Sequence, residues 1–418
     1  MAEIVINGLN TLSGEIEVQG AKNSVLPVLA GAVLCDGECV IHNCPNLSDV
    51  QTSIKILRGF GAKVNYVDKT ITVDARGINN YKIDENLMRE MRSSVVFLGG
   101  ILGRTNRAVI SNPGGCELGP RPIDLHLSAL RKMGVSINEE HGFLNCDADE
   151  GLNGCELHLA FPSVGATENI ILAAALAKGV TIIHNAAREP EISDLADFLN
   201  SAGARIYGSG SDTILIYGVS RLHGTTHTII PDRIVAATYM SAAAITNSTL
   251  SLTGIMPSNM VSILHTFRET GCDIKVKGKS LTIIAPKKLL RVPTIKSFIY
   301  PAFPTDAGPI IIALLTKAEG TSVFVENIFE NRFRYTEELN RLGANIKTEG
   351  KMAVIEGVDA LSGAKCLCPD LRGGAALVIA ALAAKGQTIL GNISHVERGY
   401  DNIVGVLKGV GADIKIKE

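Results

Sequence analysis

The sequence is poor in the residues that several classes of protein need. It has no tryptophan, only 5% aromatic residues, and 40 Lys and Arg against 42 Asp and Glu, which gives a formal net charge of -2. Proteins that stack single-stranded bases need aromatic side chains, and proteins that bind nucleic acid or anionic membranes need an excess of positive charge. The composition therefore favours neither a nucleic acid nor a membrane surface as partner.

Motifs for membrane insertion, disulfides, metals and nucleotides are also missing. The longest apolar run, residues 375–384, is far shorter than the roughly 20 residues of a membrane span. The nine cysteines include no CxxC pair, and neither a Walker loop nor a GxGxxG follows a strand pattern. These absences predict a cytoplasmic protein with reduced thiols and without a metal.

What the chain does contain is a repeat. A helix end, a glycine, a small residue and a strand recur six times, and the intervals between the glycines are 73, 69, 68, 72 and 68 residues. A glycine between a helical and an alternating pattern is typical of a left-handed helix cap. The repeat predicts an α/β protein of six βαβα units, each followed by paired strands, and its glycines are Gly61, Gly134, Gly203, Gly271, Gly343 and Gly411.

The repeat also predicts how the chain divides into domains. The strand near Ile4 completes the last three units rather than the first three, so the chain crosses between domains near residues 21 and 231. We predict one domain over 22–230 and another over 1–21 plus 231–418. Because ligands of two-domain proteins commonly bind between the domains, we expect the site in the interdomain cleft.

Residues that serve the fold should recur among the copies, whereas residues that serve a site should differ. The most variable position is the start of the first helix of each unit, where N–H groups and a positive dipole end attract anions. We interpret Asp232 and Asp370 as helix caps and Asp306, after a proline-rich segment, as a candidate general base. The six variable clusters are Lys22 with Asn23, Arg92, Ser163 to Gly165, Asp232 with Arg233, Thr305 with Asp306, and Asp370 with Arg372.

A second variable set follows the second strand of each unit. In the second unit it is a loop with three glycines and three prolines within residues 111–126, and it carries Cys116 close to Arg121. A cation near a thiol lowers the thiol pKa and suits acid or nucleophile chemistry on an anion, although an ordinary loop cysteine fits the same window. Later copies place an arginine there beside a polar or acidic residue, namely Arg188 with Glu189, Asn331 with Arg332, and Glu397 with Arg398.

With these residues assembled, the whole chain resembles the UDP-N-acetylglucosamine 1-carboxyvinyltransferases, a family of enolpyruvyl transferases. The motifs that carry the resemblance include GAKN at 20–23, PGGCELGPRPIDLH at 113–126, PSVGATEN at 162–169, PAFPTD at 301–306 and HVERGY at 395–400. The family fold is an inside-out α/β barrel of two domains, each with three βαβαββ units. The family transfers the enolpyruvyl group of phosphoenolpyruvate to the 3-hydroxyl of the UDP-sugar and releases phosphate, in the first committed step of peptidoglycan precursor synthesis.

The resemblance implies a role for each matching residue and implies no metal or organic cofactor. Cys116 looks like the proton donor to the phosphoenolpyruvate methylene carbon and Asp306 like the base on the sugar hydroxyl. The phosphoenolpyruvate contacts would be Lys22, Asn23, Arg121 and Arg398, of which Lys22 and Arg398 also count as catalytic. The UDP-sugar contacts would be Asn23, Arg92, Arg121, Pro122, Ile123, Asp124, Leu125, Ser163, Val164, Gly165, Asp306 and Ile328. The residues that shape the cleft would be Glu189, Asp232, Arg233, Arg332, Asp370 and Arg372.

Two other functions remain open from the sequence. The 5-enolpyruvylshikimate-3-phosphate synthases share the fold and the donor but lack the cysteine loop. A catalytically silent relative that only binds the UDP-sugar is the third possibility, and the full set of charged residues argues against it.

Overall fold

The computed structural model describes residues 2–111 and 123–417. Within these ranges the α-helices are α1 Lys22–Ala32, α2 Ser48–Phe60, α3 Glu85–Glu90, α4 Phe97–Thr105, α5 Asp124–Lys132, α6 Val164–Ala174, α7 Pro190–Ser201, α8 Arg233–Ile245, α9 Val261–Glu269, α10 Gly308–Leu315, α11 Tyr335–Arg341, α12 Leu371–Leu382, α13 Ser394–Glu397 and α14 Ile403–Gly409. Short 3-10 turns span Ala75–Gly77, Arg92–Val96, Pro257–Met260, Thr305–Ala307 and Arg332–Arg334.

The strands are short and follow the helices at regular spacing. They are β1 Glu3–Asn7, β2 Ser13–Glu17, β3 Glu38–His42, β4 Lys63–Val67, β5 Thr70–Asp74, β6 Arg107–Ser111, β7 Ser136–Glu140, β8 Phe143–Asp147, β9 Glu156–His158, β10 Val180–His184, β11 Arg205–Tyr207, β12 Thr213–Tyr217, β13 Thr226–Thr228, β14 Thr249–Thr253, β15 Asp273–Lys277, β16 Ser280–Ile284, β17 Leu289–Leu290, β18 Thr294–Lys296, β19 Ala318–Glu319, β20 Thr321–Val325, β21 Asn345–Glu349, β22 Met352–Glu356, β23 Leu361–Ser362, β24 Lys365–Leu367, β25 Ala384–Lys385, β26 Gln387–Gly391 and β27 Asp413–Lys417.

The chain folds as two compact units. Unit C contains the described residues of 1–19 and 231–418, and unit N contains those between Gly20 and Ile230. The N-terminal strands belong to unit C, because β1 lies between β26 and β27 and β2 pairs in parallel with β14. Each unit has its own apolar core.

Every copy of the repeat builds one small sheet. In the third copy the chain order is β9, α6, β10, α7, β11, β12, and the order in the sheet is β9-β10-β12-β11, with β9 parallel to β10 and the other pairs antiparallel. The corresponding sheets of unit N are β13-β3-β5-β4 and β6-β8-β7, and those of unit C are β15-β16-β14-β2, β18-β20-β22-β21 and β24-β26-β1-β27. This βαβαββ arrangement confirms the α/β class predicted from the repeat.

The six repeat glycines end helices as predicted. Their φ angles lie between 88° and 104°, in the left-handed region, where a side chain on Cβ is strained. Gly61, for example, is the left-handed cap of α2 and donates its backbone N–H to the Arg58 carbonyl. The recurring glycine therefore fixes the turn from each outer helix into the next strand.

The helices that open each copy are buried on almost every side. In α10 all 8 residues are buried, and in α8 only the first residue is not. A helix that is apolar all round belongs in a core, which explains the alanine-rich composition. Close packing is visible at Gly99 of α4, where an added Cβ would lie 2.3 Å from the carbonyl oxygen of Asn169 in α6.

The described ranges contain neither a membrane-spanning helix nor a cluster of metal-ligating side chains. None of their helices has the length and apolar character needed to cross a membrane. In the same ranges no three His, Cys, Asp or Glu side chains are grouped in a way that would hold a metal ion.

Candidate active site

The carboxylate of Asp306 is held by two buried arginines of unit C. Its Oδ1 accepts a hydrogen bond of 3.0 Å from Nη2 of Arg332, and its Oδ2 accepts one of 3.3 Å from Nε of Arg372. The Asp306 side chain is 29% exposed, whereas each arginine side chain is 3% exposed. Since a carboxylate has about four lone-pair sites, both oxygens can still accept a donor from the exposed side. The two arginines therefore fix the orientation of the Asp306 carboxylate.

Both arginines keep additional donors near this carboxylate. Nε of Arg332 and Nη1 of Arg372 are buried and have no hydrogen-bond partner within residues 2–111 and 123–417. Buried polar groups normally have a partner. These two N–H groups are exceptions to that rule.

The other two acidic helix starts of unit C are caps, as predicted. Oδ1 of Asp232 accepts from the backbone N–H groups of Ile234 and Val235 at 2.9 and 3.1 Å. Oδ1 of Asp370 accepts from the N–H groups of Arg372 and Gly373 at 2.9 and 3.0 Å. Because the Asp370 cap fixes the first turn of α12, it also fixes the backbone of Arg372, whose side chain reaches Asp306. Of the remaining unit C candidates, Arg233 lies over the ring of Tyr300 with its guanidinium carbon 5.4 Å from the centroid.

Ile328 lies three residues after β20 ends, and Arg398 directly follows the short helix α13. The backbone N–H of Ile328 donates to the buried carboxylate of Glu326 at 2.7 Å. Arg398 caps the short helix α13 and is half-buried. Sequence reasoning missed Glu326, which is the residue that fixes the Ile328 backbone.

In unit N, Lys22 opens α1 and pairs with an aspartate that the sequence analysis did not single out. Its Nζ lies 2.6 Å from Oδ2 of Asp49, near the start of α2, and the two side chains are 10% and 3% exposed. Asn23, the next residue of α1, is exposed. A buried ion pair holds its two charges in place. Removing one partner strongly destabilises the protein, because the other charge stays buried without compensation. Asp49 therefore fixes the position of the Lys22 ammonium.

The first turn of α1 is tied to the rest of unit N by a buried aspartate. Ser24 donates to Oδ2 of Asp194, and Nε2 of His227 lies 2.9 Å from Oδ1 of the same carboxylate. The His227 ring also packs edge-on against Phe198, with the centroids 5.7 Å apart. These contacts orient the helix start that carries Lys22 and Asn23.

Asn169 of α6, which was not predicted from the sequence, links segments of unit N that carry several of the predicted UDP-sugar residues. Its Oδ1 accepts from the N–H of Gly99 at 2.6 Å, and its Nδ2 donates to the carbonyls of Val95 and Gly165 at 3.1 and 3.2 Å. Nδ2 also lies 2.9 Å from Nδ1 of His126 in α5. Asn169 thereby joins three segments, which are the Arg92 turn, the Ser163–Gly165 helix start and the helix that begins after Ile123.

Two of these segments have further local order. Ser163 caps α6, because its Oγ accepts from the Ala166 N–H at 3.3 Å. His126 is buried, and desolvation lowers the pKa of its imidazole to about 4. Arg92, Ile123, Leu125, Val164 and Gly165 are partly exposed and Asp124 is exposed, so these positions are open to a ligand.

An acidic group surrounds the start of α7. Glu189 precedes the helix, and burial, with the carboxylates of Glu191 and then Glu189, raises the pKa of the Glu168 carboxyl well above its usual range. Glu168 was not predicted from the sequence. Because the raised pKa disfavours ionisation of Glu168, the cluster carries less negative charge than three carboxylates would.

The thiol loop of the sequence analysis is not part of the described structure. Cys116, Arg121 and Pro122 all fall within residues 112–122 and lie outside the described residues. Of the eight cysteines that are described, all but Cys155 are buried. Burial raises the thiol pKa to about 12 in Cys44 and to about 11 in Cys146.

Comparisons with known proteins settle the family. Residues 6–407 match the family described as EPSP synthase (3-phosphoshikimate 1-carboxyvinyltransferase). The chain belongs to this family. The resemblance to enolpyruvyl transferases predicted from the motifs is thereby confirmed.

Curated relatives within the family match over almost their entire length. The UDP-N-acetylglucosamine 1-carboxyvinyltransferase 2 of Caldanaerobacter subterraneus subsp. tengcongensis is 52% identical over 414 residues, which are 99% of each chain. UDP-N-acetylglucosamine 1-carboxyvinyltransferase 1 of Symbiobacterium thermophilum is 47% identical, with 98% of this chain and 94% of the relative covered. The enzyme of Mycobacterium tuberculosis with the same activity in its name is 44% identical, with 99% of both chains covered.

Solved structures agree on the fold. The enolpyruvyl transferase NikO from Streptomyces tendae superimposes with a TM-score of 0.90 at 26% identity, over 100% of this chain and 99% of that one. EPSP synthase from Acinetobacter baumannii gives a TM-score of 0.79 at 19% identity over 100% of both chains, which shows a shared fold. The enolpyruvyl transferase architecture predicted from the sequence is confirmed.

Proposed function

We propose that this chain transfers the enolpyruvyl group of phosphoenolpyruvate to the 3-hydroxyl of UDP-N-acetylglucosamine and releases phosphate. This reaction would supply a peptidoglycan precursor in the cytoplasm, and so serve cell shape and division. The full-length identity of 44–52% to relatives that carry this activity in their names supports the acceptor. By contrast, two structures of EPSP synthase from Acinetobacter baumannii are 18–19% identical.

The arrangement around Asp306 carries the chemical part of the proposal. Asp306 accepts the proton of the sugar hydroxyl as the hydroxyl oxygen adds to C2 of phosphoenolpyruvate, while Cys116 gives a proton to the methylene carbon. The resulting tetrahedral adduct then loses phosphate and a proton from that carbon, which leaves the enolpyruvyl ether. Since Arg332 and Arg372 hold both oxygens of Asp306 from the buried side, the carboxylate meets the hydroxyl in one orientation.

The remaining candidates would hold the two substrates. Lys22, fixed by Asp49, would bind the anionic donor together with Asn23, Arg121 and Arg398. The UDP-sugar would contact the segments gathered by Asn169 and the backbone near Ile328. The start of α6 suits the diphosphate, because helix N-termini bind anions.

A coupled assay of phosphate release tests the proposal. The purified chain with phosphoenolpyruvate should release phosphate when UDP-N-acetylglucosamine is added and should release none with shikimate 3-phosphate. Mass spectrometry of the product should show the UDP-sugar with one enolpyruvyl group added. Release with shikimate 3-phosphate alone would assign the sister activity. Tight UDP-sugar binding without any turnover would indicate a binding protein.

A further inference from the structure

Directly after the second strand of each copy comes a residue that is asparagine or glycine in every copy but one. In chain order these residues are Asn43, Asn112, Asn185, Gly254, Glu326 and Asn392. Four of them, at 43, 185, 254 and 392, have φ between 54° and 63°, the left-handed region that asparagine and glycine tolerate. Glu326, which follows β20 in the copy that carries Asp306, lacks this left-handed conformation.

In the first and third copies the asparagine has a structural role. Nδ2 of Asn43 donates to the Ile229 carbonyl at 2.9 Å, and Nδ2 of Asn185 donates to the Leu159 carbonyl at 2.7 Å. Each bond ties the strand end to the residue that follows the parallel neighbouring strand. In the fifth copy this bond is made one residue later, by Asn327 to the Ser297 carbonyl at 3.0 Å. Glu326 therefore does not need to make the bond that Asn43 and Asn185 make.

The fully buried carboxylate of Glu326 instead accepts four hydrogen bonds. Its Oε2 accepts from Oγ1 of Thr305 at 2.8 Å. Its Oε1 accepts from Oγ of Ser297 at 2.9 Å and from the N–H groups of Ile328 and Phe329 at 2.7 and 3.2 Å. A side chain with 0% exposure and this many partners holds the attached segments rigidly.

Two of those partners, Thr305 and Phe329, connect Glu326 to Asp306. Thr305 is the residue directly before it in the same 3-10 turn, so the hydroxyl bond fixes the turn that carries the carboxylate. Phe329, whose N–H is held by Glu326, packs its ring against Arg332, with the guanidinium carbon 5.5 Å from the centroid. Arg332 in turn grips Oδ1 of Asp306.

We infer that Glu326 is a positioning residue for the reaction, which orients Asp306 through Thr305 and holds the Ile328 backbone for the UDP-sugar. The inference rests on the proposed function, because it assigns Glu326 to the base and acceptor side of that reaction. It predicts that the two links are separable. Cutting the Thr305 link should affect turnover, and cutting both links should also affect acceptor binding.

The test compares kcat and KM of three variants by phosphate release. Thr305→Val removes only the hydroxyl, and we expect kcat to fall about tenfold while KM for UDP-N-acetylglucosamine stays within about twofold, since small displacements of a reacting group are costly. Glu326→Ala removes both links, and kcat should fall while this KM rises. Glu326→Gln keeps an oxygen for the two backbone N–H groups, so its KM should stay closer to that of the wild type.

Thr388→Val is the matched control. Its hydroxyl is also buried in unit C but has no hydrogen-bond partner in the described residues, so the same change should leave kcat unaltered. A wild-type kcat in Thr305→Val, or an equal loss in Thr388→Val, would overturn the inference. If Glu326→Ala does not fold, Thr305→Val against Thr388→Val decides. Failure of the proposed function is distinct, because the wild type itself would then release no phosphate with the UDP-sugar.

Discussion

Nδ2 of Asn169 lies 2.9 Å from Nδ1 of His126, and the side-chain amide of Asn169 has only one orientation that satisfies its neighbours. Its oxygen must face the Gly99 N–H, which only donates, and its nitrogen must face the carbonyls of Val95 and Gly165, which only accept. His126 must therefore accept at Nδ1 and carry its proton on Nε2. The imidazole is neutral in this arrangement.

This relationship predicts that the stability of unit N falls in mild acid. Desolvation lowers the His126 pKa from 6.5 to about 4, so between these values the unfolded chain binds more protons than the folded chain. Stability is then fully present above about pH 6.5 and is lost as the pH falls towards about 4. From pH 7 to pH 5 the imidazole should cost about 2 kcal/mol of unfolding free energy.

Urea unfolding of wild type and His126→Gln at both pH values measures this effect. The variant lacks the titrating group and retains an acceptor for Asn169, so it should lose about 2 kcal/mol less than the wild type between pH 7 and pH 5. His265→Gln, which removes an exposed imidazole of α9, is the control. Parallel losses in wild type and His126→Gln would contradict the assignment.

The fold was largely predictable because the repeat exposes it. Each of the six glycines marks the same turn, and all six have the left-handed φ that the pattern requires. The variable helix starts could be found in the same way, since Asp306 and Arg372 differ from their counterparts in other copies. Their mutual pairing could not be predicted, because residues 66 apart in the chain meet only through the packing of α10 on α12.

The supporting residues were missed for a more specific reason. Neither Asn169 nor Glu326 stands at a helix start or beside an arginine or a cysteine in the chain. Counting 34 residues back from each repeat glycine gives Pro27, Gly100, Asn169, Ala237, Pro309 and Leu377, so one copy alone has a polar side chain at a core position. Glu326 stands out in the same way, because its counterparts in the other copies are four asparagines and a glycine. Asp49 has no such signal, because its role depends on its contact with Lys22.

Replacement of Asp306 tests the proposed base. Asp306→Asn keeps the shape of the side chain but cannot take a proton, so kcat should fall at least about 100-fold, in the range expected for loss of a general base. Binding of UDP-N-acetylglucosamine, measured by titration calorimetry, should stay within a few-fold. Asp273→Asn, an exposed position of β15, should behave as wild type. Lost binding with normal turnover at saturation would refute the base role.

Variants of Asp370 can separate its structural role as the cap of α12 from a chemical role of its charge. Asp370→Ala removes the acceptor for two backbone N–H groups of α12, and the loss of such a cap costs about 1 kcal/mol. Asp370→Ser retains an acceptor, so its melting temperature should stay near that of the wild type. Since α12 carries Arg372, we expect kcat to fall in the alanine variant and to recover in the serine variant. Low kcat in Asp370→Ser at wild-type stability would instead show that the carboxylate charge itself is needed.

The thiol prediction gains from what the structure shows of the other cysteines. A thiol must be both accessible and ionised to attack an electrophile. Burial raises the thiol pKa of Cys155 and, to about 12, of Cys368. A hydrogen bond with Cys35 lowers the thiol pKa of Cys39, but that side chain is fully buried. An epoxide such as fosfomycin should therefore modify the native protein at one position, Cys116, whose thiolate would open the ring. Intact-protein mass spectrometry should show one adduct per chain in wild type and in Cys155→Ser, and none in Cys116→Ser. Cys116→Ser should also lose most of its turnover. An adduct that persists in Cys116→Ser would place the reactive thiol elsewhere in the chain.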